Sequence, residues 1–95
     1  MKIQNKKLKK IKQKILPNFW YLPTIEEQSK LIKELCLFNS EYAILILRSL
    51  LKEENEFIVY LALKAIYQLN KSYLSDNELL YLIKFDERDY FNKAQ

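Results

Sequence analysis

Glycine and histidine are missing altogether from this chain of 95 residues, and cysteine occurs once and proline twice. Without glycine, tight β-hairpin turns lack the residue that most easily adopts positive φ, so the composition predicts helices joined by Asn, Ser, Asp and Lys rather than a sheet. The same absence removes the loops that cradle nucleotide phosphates. Without histidine the most used acid–base group is gone, and Cys36, set between Leu35 and Leu37, has no imidazole to activate it. Zinc sites need clusters of Cys and His, which this chain cannot assemble. No enzymatic activity, cofactor or metal is therefore expected. A single cysteine also excludes an internal disulfide framework and suits a reducing compartment, which makes the cytoplasm the expected location.

Long apolar runs are absent as well. The longest, Tyr42 to Leu47, ends at Arg48, far short of the ~20 residues of a membrane span. Near the N-terminus Leu8, Ile11, Ile15 and Leu16 are spaced by lysines and never form the continuous apolar stretch of a secretion signal.

Charge is present in quantity but unevenly placed. Residues 1–16 contain Lys2, Lys6, Lys7, Lys9, Lys10, Lys12 and Lys14 and no acid, a local charge of +7, which leaves nine basic against all 12 acidic residues, or −3, in the remainder of a chain whose net charge is +4. The sequence thus divides into a basic N-terminal helix or arm, residues 1–16, and a single helical domain, residues 17–95. On a helix Leu8, Ile11 and Ile15 share a face, narrowed by Lys12, so the arm either docks on the body or is ordered by a partner.

Pro17 and Pro23 bracket the aromatic connector Asn18 to Leu22, through which no regular helix runs. Thr24 to Glu27 and Ser75 to Glu78 both have capping-box spacing and start helices, the first with Ile25, Leu31, Ile32, Leu35 and Phe38 as its apolar face. Tyr42 to Leu51 is apolar on nearly every side and must be buried. Asn55 caps a helix from Glu56 to Leu69, and a last short turn is expected from Asp86 to Ala94. The fold class is all-α, with four to five short helices.

In the helix after Asn55, Ile58, Ala62, Ala65, Ile66 and Leu69 lie on one face, with two alanines that let a neighbouring helix approach closely. This set of residues resembles the second helix of HEAT-type repeats, with Ala43 to Leu51 as the first helix of the same unit. The resemblance covers about residues 42–70, with partial neighbours on either side, and the chain has Glu56 and Val59 where such repeats often carry Pro and Arg. It implies a protein-interaction scaffold. A HEAT-like stack of helix pairs and a small helical bundle both fit the pattern.

Three candidate surfaces follow. Tyr60, Lys64, Tyr67 and Lys71 share the face opposite the alanines, where tyrosines interleaved with lysines suit a protein partner; the alternative is that the bundle closes over them. Lys6, Lys7, Lys9, Lys10, Lys12 and Lys14 suit an acidic partner, whether a protein, nucleic acid or ribosome, or less readily an anionic membrane surface. Phe19, Trp20 and Tyr21 form either an anchor or a plug for one end of the core, with Tyr90 and Phe91 closing the other. With so few helices to cover one another, a larger assembly or a homodimer is expected. The expected role is a small non-enzymatic scaffold or adaptor, with nucleic-acid binding through the lysines as the alternative.

Overall fold

The computed structural model describes the backbone of residues 2–18 and 21–94 and the side chains of residues 6–18 and 21–86. Five α-helices follow one another, α1 (Lys2–Ile15), α2 (Ile25–Leu35), α3 (Glu41–Ser49), α4 (Glu56–Asn70) and α5 (Asp76–Ala94), with single 3-10 turns at Leu50–Lys52 and Lys71–Tyr73. The all-α expectation is met. The segment after Asp86 is not a separate turn: α5 runs through it as one helix of 19 residues.

Each junction is built from the polar residues that the composition offers. Ser40 accepts the Tyr42 N–H and starts α3, and the Asn55 side chain accepts the Ile58 N–H at 3.1 Å and starts α4. Ser75 and Glu78 form the full reciprocal box: the Ser75 N–H donates to Glu78 at 2.8 Å and the Glu78 N–H donates to the Ser75 hydroxyl at 3.2 Å. At α2 only half of the box forms. Thr24 accepts the Glu27 N–H, while the Glu27 carboxylate takes the hydroxyls of Thr24 and Tyr21 in place of the cap's own N–H. No described residue has positive φ, so the junctions manage without glycine on ordinary αR and extended conformers.

Packing follows chain order. α1 lies on α2 and α3, α2 on α3 and α4, α3 on α4, and α4 on α5. Each helix thus meets its successor, and α1 also meets α3 and α2 also meets α4. Arg48 on α3 extends the first of these series by pairing with Glu78 on α5. The result is a slab measuring 45 × 30 × 20 Å, its thin dimension equal to two helix diameters of about 10 Å.

One core runs through the slab. Leu8, Ile11 and Ile15 of α1 belong to it together with Ile32 and Leu35 of α2, Ala43, Ile44, Ile46 and Leu47 of α3, and Ile58, Ala62, Ala65 and Ile66 of α4. The expected boundary after residue 16 therefore falls inside a continuous apolar cluster, and α1 is docked on the body. On α2 the stripe is rotated from expectation. Ile25 is exposed and Gln28 is buried in its place, donating from Nε2 to the Ile15 carbonyl at 2.9 Å. Together with a longer bond from the Asn18 side chain to the Gln13 carbonyl, this occupies carbonyls at the end of α1 that have no helical partner.

Glu78 joins two tasks: it caps α5 and pairs with Arg48, whose guanidinium also donates to the Tyr73 carbonyl at 2.8 Å. Burial alone would raise its pKa, but the Ser75 N–H and Arg48 outweigh that and hold it below the ordinary value of 4.5. A depressed carboxylate stabilises the fold fully above its unfolded value, and this is lost as pH falls through the folded value. Glu78→Gln should accordingly cost about 1 kcal/mol at neutral pH, the partly exposed pair being screened. Thermal melts should show the gap from wild type closing below the ordinary glutamate range. A gap of constant size down to strongly acidic solution would mean that the carboxylate charge contributes nothing.

Candidate functional site

The four residues Tyr60, Lys64, Tyr67 and Lys71 do share a side of α4 and the turn after it, but they do not form one open surface. α5 closes over the first of them. Tyr60 is 6% exposed, its ring stacks on Phe85 at 4.3 Å between centroids, and its hydroxyl donates to Asp86. Burial, then the hydrogen bond to Asp86, pushes the Tyr60 phenol above its ordinary pKa, so it remains a proton donor. Lys64 donates to the same hydroxyl at 3.2 Å and lies 5.5 Å from the ring centre. For Tyr60 the structure thus takes the alternative that the sequence left open: it is a core residue on which α5 packs. The sequence hid this because its covering groups, Phe85 and Asp86, lie where a helix end was expected.

Beyond Tyr60 the two helices leave a groove of about 640 Å³ between them. Lys64, Tyr67, Gln68 and Lys71 form one wall, and Leu79, Leu82, Ile83 and Asp86 form the other. Tyr67 is 49% exposed and Ile83 54%. The groove is apolar along its α5 wall and carries two lysines against one aspartate. Its α5 wall was legible as part of a helix, but not as the complement of Tyr67, because sequence periodicity places residues on a face without saying which face of another helix stands opposite.

The lysines of α1 occupy both flanks of that helix. Lys7, Lys10 and Lys14 line a trough against α2, with Ile11, Leu31, Glu34, Leu37 and Phe38. Lys9 and Lys12 line another, of about 400 Å³, with Gln13, Leu16, Pro17, Asn18 and Tyr42. Lys6, Lys7, Lys9, Lys10, Lys12 and Lys14 are all exposed, and none pairs with a carboxylate among the described residues. Tyr42, which sequence reasoning assigned only to a buried helix, stands at the surface beside Lys9 and Lys12.

The aromatic connector divides. Phe19 and Trp20 lie outside the described residues, as do the side chains of Tyr90 and Phe91. Tyr21 is 41% exposed and is tied to Glu27, so at this position the connector does not plug the core. Asn18 and Tyr21 exchange backbone hydrogen bonds at 2.9 and 3.3 Å, which turns the chain back between α1 and α2.

Among the described residues no three His, Cys, Asp or Glu side chains converge as a metal would require, and no helix is long and apolar enough to cross a membrane. Burial pushes the Cys36 thiol above its ordinary pKa, away from the reactive thiolate. Comparison with protein-family models, with curated proteins and with solved structures finds no match to this chain.

Proposed function

We propose that this protein is a non-enzymatic helical scaffold or adaptor of the cytoplasm, built as a HEAT-like stack, that holds a protein partner in the groove between α4 and α5. The observation that carries the reading is the lining of that groove. An exposed tyrosine and isoleucine sit on an apolar floor rimmed by lysines, the mixture of anchor and charge that suits protein interfaces.

The order of helix packing supports a more definite occupant. α4 packs beside α2, and a further helix in the same series would lie on α4 and α5, along the groove. The occupant is therefore an amphipathic helix of the partner, with apolar residues at helical spacing for Tyr67, Leu79 and Ile83, and acidic residues for Lys64 and Lys71.

A fluorescent helical peptide of about five turns, with a leucine stripe and glutamate flanks, tests this by anisotropy. It should bind more tightly than the same peptide with lysine flanks, and Ile83→Glu should weaken it by tenfold or more, the size expected for burying a charge against an apolar partner. Equal binding of both peptides, or indifference to Ile83→Glu, sinks the reading. Concentration-dependent dimerisation abolished by Ile83→Glu would also overturn it, because the groove would then belong to a second copy of the chain.

A further inference from the structure

The trough between α1 and α3 carries a second recognition surface, independent of the α4–α5 groove. We infer that it binds single-stranded nucleic acid, with Lys9 and Lys12 on the phosphates and the ring of Tyr42 stacked on a base.

Charge density supplies the first support. From Lys6 to Lys14 the helix carries six lysines with no intervening acid, over about 12 Å at 1.5 Å per residue. Lys7, Lys10 and Lys14 line the α2 side; Lys9 and Lys12, on the α3 side, stand about 4.5 Å apart along the axis, of the order of the ~3.4 Å phosphate spacing of one strand. Glu34 faces Lys7, Lys10 and Lys14 across the α2 side, whereas among the described residues no carboxylate lines the trough on the α3 side. An extended polyanion is therefore favoured most along Lys9 and Lys12.

Chemistry within the trough supplies the second. Tyr42 is 37% exposed at the start of α3, and Gln13, Leu16 and Pro17 complete the lining. An aromatic ring beside paired lysines is the combination that sequence-tolerant single-strand binders use: cations track the backbone and π-faces take the bases. A duplex would offer the lysines phosphates but keep its bases stacked away from Tyr42.

Burial of the apolar stripe argues against a membrane. An interfacial helix binds by sinking its apolar face among lipid chains, but Leu8, Ile11 and Ile15 are already committed to the protein core. The lysines stand on a fixed ridge whose greasy side is covered by α2 and α3.

Anisotropy titrations of the full chain with labelled oligo(dT) and with a random-sequence RNA of about 20 nucleotides provide the test, with duplex DNA and phosphatidylserine vesicles as competing arms. The single strands should bind with log Kd rising linearly with log salt, and Lys9→Gln/Lys12→Gln should lower that slope by about 1.4, near 0.7 for each phosphate that is no longer neutralised. Tyr42→Ala should weaken binding about fivefold or more, and Tyr42→Phe should retain it. The lysine pair is exposed, so its variant reports on binding even if Tyr42→Ala perturbs α3. No binding at roughly 100 µM protein in low salt would overturn the assignment. So would equal affinity for duplex with indifference to Tyr42→Ala, or binding to the vesicles alone.

Discussion

Residues 17–95 without α1 should lose cooperative folding. Leu8, Ile11 and Ile15 are buried in the common core, and fully burying such side chains contributes roughly 1.5–3 kcal/mol each, or about 5–9 kcal/mol for the three. Whole-domain stability for a chain of this length is about 5–14 kcal/mol. Deleting α1 also uncovers the surfaces of α2 and α3 on which it lies and leaves the Gln28 amide without the Ile15 carbonyl. The fragment should show a broad or absent thermal transition by circular dichroism, with rapid proteolysis, where the full chain melts in one step. A fragment melting within a few degrees of the full chain would mean that α1 is an appendage after all, as its charge alone suggests.

Tyr60→Ala should cost about 3–5 kcal/mol, the range for removing a large aromatic from a core. It deletes the stack on Phe85 and the hydroxyl that Asp86 accepts. Tyr60→Phe keeps the ring and should cost about 1 kcal/mol, the hydrogen bond alone. Tyr67→Ala, two helical turns further and half exposed, should stay within about 0.5 kcal/mol, as surface changes do. Urea denaturation of the three variants separates the roles. If Tyr60→Ala and Tyr67→Ala proved equally mild, α5 would not be held on α4 by the stacked ring.

Those two tyrosines show how far the sequence could be read. Helix starts were legible because capping is local: Thr24, Asn55 and Ser75 each accept an N–H three residues on. The close-packing face of α4 was legible because Ile58, Ala62, Ala65 and Ile66 keep a helical period, and all four are buried. Tyr60 belongs to an equally regular polar stripe, and only the distant Phe85 and Asp86 distinguish it from Tyr67. Gln28 was hidden for the same reason, since its partner is a backbone carbonyl 13 residues away that no side-chain pattern announces. Tyr42 was concealed by its neighbours: Ala43, Ile44, Ile46 and Leu47 are all buried, and a run this apolar does not reveal which member escapes.

The buried amide of Gln28 also sets a phase. Successive residues on a helix are turned by about 100°, so a slip of one position would carry Lys9 and Lys12 out of line with Tyr42 and bring another set of lysines round. The same slip would turn Leu8, Ile11 and Ile15 out of the core, so the apolar stripe resists it too. The bond from Gln28 to one particular carbonyl holds the same setting. Gln28 thereby acts as an index pin beside that stripe, and the two together hold the positive charges of α1 outward.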